Sequence, residues 1–168
     1  MRLYILRHAK SSWAETGSKD FDRGLNDRGS SDLRKISAEM RNHEYLAPHV
    51  YCFPALRTRL TMHGVILAYE TPPKIDYIDK LYSGDTLSYI DCIRRHPNKE
   101  DLLIVGHNPM CAELAIQLIG DGEPKALATV SQKFPAGALA VIDLDIEQWD
   151  SIATKSGYIA EFILPKEI

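Results

Sequence analysis

A chain of 168 residues, 45% hydrophobic and 26% charged, has the size and make-up of a single globular domain, expected to span residues 1–168. Twenty Lys and Arg against 23 Asp and Glu leave a net charge of −3. This excludes a nucleic-acid partner held mainly by phosphate neutralisation, but leaves room for a local basic cleft. The cysteines Cys52, Cys92 and Cys111 show no C-x-x-C spacing, so reduced thiols are expected rather than a disulfide framework or a zinc site. No apolar run approaches the ~20 residues of a membrane span, and Met1–Leu6 reaches Arg7 too soon to form the core of a signal peptide. A cytoplasmic chain with no membrane partner is the expectation.

In chain order, the first predicted strand is Leu3–Leu6, a continuous apolar run of the kind that suits a parallel strand covered on both faces. Leu33, Ile36 and Met40 then mark one face of a helix. Val50–Phe53 is a second buried strand, and Leu56, Leu60 and Leu67 are expected on the inner face of the helix after it. Lys74–Ile78 reads as a strand nearer an edge. Leu87, Ile90 and Ile93 mark a third helix, and Leu102–Val105 is a third buried strand. Asn108-Pro109 suits a helix start, with Asn as N-cap and Pro at the first helical position; Leu114, Ala115, Leu118 and Ile119 give that helix its face. Gly120 and Gly122 are expected to break it. Ala138–Ile142 and Tyr158–Phe162 read as strands with no helix between them. The expected fold is α/β: a three-layer sandwich with a mainly parallel central sheet, helices on both faces and an antiparallel C-terminal extension.

Arg7-His8 directly follows the first strand, Arg57 comes just after the second, and His107 directly follows Leu102–Val105. Ligands of open α/β sheets bind outside the carboxyl ends of the strands, so these ends bring two arginines and two histidines to one rim. The planar arginine fork suits phosphate oxygens, and a neutral imidazole is a capable nucleophile at physiological pH. His43, His49, His63 and His96 follow no strand end in a comparable motif and read as ordinary surface or core histidines.

Four segments carry a resemblance. Leu6-Arg7-His8-Ala9-Lys10 resembles the Arg-His-Gly signature of the histidine phosphatase (phosphoglycerate mutase-like) superfamily. Phe53-Pro54-Ala55-Leu56-Arg57-Thr58-Arg59-Leu60-Thr61 is similar to its Ser-Pro-Ala-x-Arg-Ala-x-x-Thr segment. Gly106-His107-Asn108-Pro109 is similar to its second histidine motif. Asp22–Gly29 resembles the Arg-Pro-Leu-x-x-x-Gly stretch of the short branch that holds the SixA-type phosphohistidine phosphatases. The match runs from Met1 to about Pro165. Three positions depart from the pattern. Ala9 stands for a frequent Gly, Phe53 for a serine that donates to phosphate, and Gly24 for a common proline.

The resemblance implies a phosphatase in which His8 is the nucleophile and forms a phosphohistidine that water hydrolyses. Arg7, Arg57 and His107 would surround the phosphoryl group, so neither a metal nor another cofactor is expected. Lys10, Ser11, Ser12, Trp13 and Arg23 are expected at the mouth, with Ser11 and Arg23 reaching substrate. Asp85 is the best candidate for a general acid, although a cap on the helix through Leu87, by Asp85 or Ser83, is the favoured reading of this segment. An uncertain acid suits phosphohistidine, because departing imidazole has a pKa of roughly 6.5, far below an alcohol's. The expected partner is a phosphorylated protein or a small phosphate ester, and the chain is expected to act as a monomer. A phosphomonoesterase of small metabolites and a non-catalytic phosphate-binding protein are the alternatives. A mutase fits least, since no extra segment would hold a bisphosphate.

Overall fold

A computed structural model of the chain describes residues 1–12, 19–79 and 86–168. Its strands are β1 (Arg2–Arg7), β2 (His49–Cys52), β3 (Lys74–Tyr77), β4 (Leu102–Gly106), β5 (Ile119–Gly122), β6 (Leu139–Leu144) and β7 (Gly157–Ile163). They form one sheet in the order β3-β2-β4-β1-β6-β7-β5. β1 lies parallel to β4, and β2 lies parallel to both β4 and β3, with Leu3 opposite Leu102 and Cys52 opposite Val105. β6 runs antiparallel to β1 and to β7, and β5 returns parallel to β7. The antiparallel character of the C-terminal extension therefore rests on β6.

Alternation along the central strands divides the core into two layers. Leu3 and Ile5 of β1, with Leu102 and Ile104 of β4, pack against α3 (Thr86–Arg94), α4 (Met110–Leu118) and α5 (Pro124–Val130). Tyr4 and Leu6, with Leu103 and Val105, face α1 (Asp27–Asn42) and α2 (Leu56–Val65) on the other side. The three-layer α/β sandwich is the architecture expected from the apolar runs. No helix among the described residues is long and apolar enough to cross a membrane, and the three cysteines form no disulfide.

Several local expectations need correction. In α2 the leucines do not face inward: Leu56 and Leu60 are each 37% exposed, and Leu67 beyond the helix is 65% exposed. The inner face is Arg57, Thr58, Thr61, Met62 and Val65, because the first turns of this helix face polar loops rather than the apolar core. Leu87 of α3 is likewise exposed, while Tyr89, Ile90 and Ile93 are buried. Asn108 does not cap α4, which begins at Met110; its Nδ2 donates instead to the Phe134 carbonyl at 3.0 Å.

Gly120 and Gly122 belong to a strand rather than to a break. A Cβ on Gly120 would lie 2.1 Å from the Lys155 carbonyl oxygen, and one on Gly122 would lie 2.2 Å from Ile159. Absent side chains are what let β5 approach its neighbours. Ile119 is accordingly the first residue of β5, and α5 follows with Pro124 in its first turn.

His49 and His96 are buried as a pair under the β2–β3 edge, with rings 4.6 Å apart. His49 Nε2 lies 2.7 Å from Asp76 Oδ2, and His96 Nδ1 lies 2.8 Å from the Tyr51 hydroxyl. Burial pulls His96 down to about 4, with His49 and Lys74 adding to the shift and Asp76 opposing it. The unfolded chain takes up this proton near 6.5 and the folded chain does not. Stability should therefore fall as pH drops from about 6.5 to 4, by up to roughly 3 kcal/mol from this residue. Denaturant titrations at pH 7 and pH 4.5 should show a smaller loss in His96→Phe than in the wild type.

Candidate active site

The loop after β1 is fixed from several sides. The His8 amide donates to the Gly106 carbonyl at 2.9 Å, and the Gly137 amide donates to the carbonyls of Arg7 and His8 at 3.1 Å. The Ala9 amide donates to Thr61 Oγ1 at 3.0 Å, and that hydroxyl donates in turn to the Arg57 carbonyl at 2.7 Å. One threonine thus ties the loop carrying His8 to the helix carrying Arg57. Farther along, the Ser12 amide donates to Gly24, the Asn26 amide donates to Lys10, and Ser11 bridges Leu25. Asn26 also caps α1 by accepting the Gly29 amide at 2.9 Å. Gly29 makes this seam possible, since a Cβ there would lie 2.1 Å from the Lys10 carbonyl oxygen.

These contacts bring Arg7, His8, Ser11, Arg23, Arg57 and His107 into one cleft of about 410 Å³, lined also by Lys10, Ser12, Asp20, Asn26, Asn108 and Ala136. Six of the seven residues expected in the site therefore share a cavity; Asp85 lies outside the described residues, as does Trp13. Among the described residues no group of three or more His, Cys, Asp or Glu side chains is placed to hold a metal ion.

The donor groups of this cleft are under-used. Arg7 Nη1 donates to the Phe134 carbonyl at 2.7 Å, and Arg57 Nη1 donates to the Asp20 carbonyl at 2.8 Å. Arg7 Nε, Arg23 Nε, Arg57 Nε and His107 Nδ1 are all buried with no hydrogen-bond partner among the described residues. These nitrogens belong to residues that line the cleft, and the charge and planar forks of its arginines suit an acceptor-rich anion.

His8 is 8% exposed, and its Nδ1 lies 2.8 Å from the Ala9 carbonyl oxygen. A carbonyl only accepts, so in the neutral ring Nδ1 carries the hydrogen and Nε2 keeps the lone pair. Burial pulls His8 down to about 4 against the raising effect of the Ala9 bond, with Arg57, Arg7 and His107 adding to the shift. Burial also pulls His107 below the usual histidine range, with Arg57 assisting and Asp20 opposing. His8 is thus a neutral ring at neutral pH, and burial favours the neutral form of His107 as well. Phe53, standing where the motif has serine, packs its ring 4.6 Å from that of His107 and beneath the Arg57 guanidinium. The position supplies an apolar support rather than a phosphate donor.

Four lining residues were not anticipated, Asp20, Asn26, Asn108 and Ala136. Asn108 reads in the sequence as a helix cap, and Asp20 carries no pattern of its own beyond standing three residues before Arg23.

No protein-family model matches the chain. An uncharacterized protein of Mycobacterium tuberculosis is 30% identical over 164 residues, covering 96% of this chain and 100% of the relative. A crystal structure of a putative phosphohistidine phosphatase SixA from Agrobacterium tumefaciens superposes with a TM-score of 0.83 at 30% identity, covering 98% of this chain and 97% of that one. A putative phosphohistidine phosphatase SixA from Nakamurella multipartitia shares the fold at a TM-score of 0.83 and 24% identity, over 98% of this chain and 95% of that one. Sharing fold and near-complete length with the Agrobacterium protein at this identity, the chain belongs to the SixA branch of the histidine phosphatase superfamily.

Proposed function

We propose that the chain removes phosphate from phosphohistidine in a protein, through a covalent phospho-His8 intermediate and without a metal. The observation that carries this reading is the gathering of Arg7, Arg57 and His107 with His8 around one cleft. Phosphoryl transfer spreads charge over three equatorial oxygens, and catalysis is mainly positioning plus preorganised electrostatics. Arg7 and Arg57 supply permanent positive charge, and His107 adds a ring nitrogen. His8 Nε2 attacks phosphorus in line, the leaving group departs toward the mouth, and water then hydrolyses the phosphohistidine. Ser11 and Arg23 meet the substrate at the rim.

Every group in this scheme comes from one chain, so a monomer acting as a single domain over 1–168 suffices. The thiols fit a reducing cytoplasm. A departing imidazole has a pKa of roughly 6.5, far below an alcohol's, so a nitrogen leaving group needs less help from an acid than an alkoxide does. Assayed side by side, a phosphohistidine peptide should therefore be hydrolysed faster than a phosphoserine peptide of the same sequence. The reverse order would overturn this substrate assignment.

A further inference from the structure

Asp20 has no part in the scheme so far, and its position is specific. Among the described lining residues Arg7, Lys10, Arg23 and Arg57 are cationic and Asp20 is the only carboxylate. Asp20 Oδ2 lies 3.2 Å from Arg57 Nη2 and its Oδ1 lies 2.9 Å from Arg23 Nη2. The Arg57 side chain is 5% exposed, that of Arg23 is 23% and that of Asp20 is 57%. The carboxylate therefore sits at the outer rim, above a buried floor that holds His8 and Arg57. In-line attack by His8 directs the leaving group outward, into the region of this rim.

The chemistry of a phosphorylated imidazole gives such a carboxylate a task. If the ring nitrogen not bonded to phosphorus is protonated, the ring departs as neutral imidazole, a good leaving group. If it is unprotonated, the ring must depart as an anion. A rim of arginines alone would oppose that proton, whereas an opposite charge within ~4–6 Å favours it by about 1–3 pKa units.

Resting on the reading of the cleft as a phosphohistidine site, we propose that Asp20 is the leaving-group recognition residue. Its carboxylate accepts the N–H of the distal ring nitrogen of the substrate phosphoimidazolium. His8 Nε2 then forms its bond to phosphorus as the substrate P–N bond breaks, and that electron pair returns to the departing ring. The distal proton stays on the ring, which leaves as neutral imidazole, so Asp20 neither gives nor takes a proton. An ionised carboxylate held by two arginines fits this role, and it opposes substrates that bring further negative charge to the rim.

The test compares phosphoimidazole with p-nitrophenyl phosphate, a dianion whose leaving group needs no such proton. Asp20→Asn keeps a hydrogen-bonding group on the arginines but removes the charge. It should lower the ratio of kcat/KM for phosphoimidazole over p-nitrophenyl phosphate by about tenfold, with p-nitrophenyl phosphate turnover rising. Asp20→Glu, which restores the charge, should keep most of the wild-type ratio. Parallel loss on both substrates would reduce Asp20 to a support for Arg57 and overturn the assignment. An unchanged ratio in Asp20→Asn, with His8→Ala inactive, would overturn it alone. If the wild type turns over neither probe, or His8→Ala keeps its activity, the reading of the cleft falls as well.

Discussion

Replacement of His8 by alanine is expected to lower kcat/KM for a phosphohistidine peptide by at least about 10⁴-fold, and to abolish acid-labile labelling of the chain by a phosphorylated substrate. The expectation follows from the state of the ring. With its Nδ1 hydrogen engaged by the Ala9 carbonyl, His8 keeps its lone pair on Nε2, the atom proposed to attack phosphorus. Because burial and the neighbouring cations hold the group near 4, the lone pair is present throughout the neutral range. Protonation of His8 removes it only in acid, so the acidic limb of kcat/KM due to this residue should lie near pH 4 rather than near 6.5. Retention of labelling in His8→Ala would remove the residue from the mechanism. A limb near 6.5 instead would mean that the free base is less favoured than its burial implies.

The second large effect is expected at Arg57. Its guanidinium is nearly buried, packs over Phe53 and belongs to the lining of the cleft. Losing one preorganised donor to developing charge typically costs about 10²–10³ in rate, and Arg57→Ala should lie at the upper end because a full charge goes with the donor. Arg57→Lys restores the charge without the planar fork and should recover only part of the loss. Since Arg57 also binds the Asp20 carbonyl and carboxylate, kinetics should be compared on samples whose thermal transitions match. A fall in kcat with little change in KM would place the lost interaction in the transition state. A rise in KM alone would reduce Arg57 to ground-state binding.

Much of this arrangement was legible before any coordinates. The apolar runs at Leu3–Leu6 and Leu102–Val105 have one physical solution, a strand buried on both sides, and residues at their carboxyl ends then have one address. The candidates His8, Arg7, Arg57 and His107 could therefore be placed at one rim from the sequence, and the cleft does hold all four. The misreadings share a cause. Periodicity names a helix but not which arc of it faces inward, and in α2 the inner arc is polar because Thr58, Thr61 and Arg57 bond to surrounding loops. Gly120 and Gly122 look like breaks because a sequence does not reveal that a neighbouring backbone passes within 3 Å of where a Cβ would stand. Asp20 stayed silent for a similar reason. Its meaning lies in being the lone carboxylate among the described lining residues, beside cations drawn from distant segments, a relation that only the assembled fold creates.

The amide of Gly137 that closes on the carbonyls of Arg7 and His8 joins points about 130 residues apart, and the seams from Ala9 to Thr61 and from His8 to Gly106 span long stretches too. Such contacts form only when distant parts of the chain have already met, at the cost of closing long loops. Phosphoryl transfer in this chain is therefore a property of the completed sheet. No segment ending before Gly137 contains all of these seams, so turnover reports molecules in which the distant segments have met.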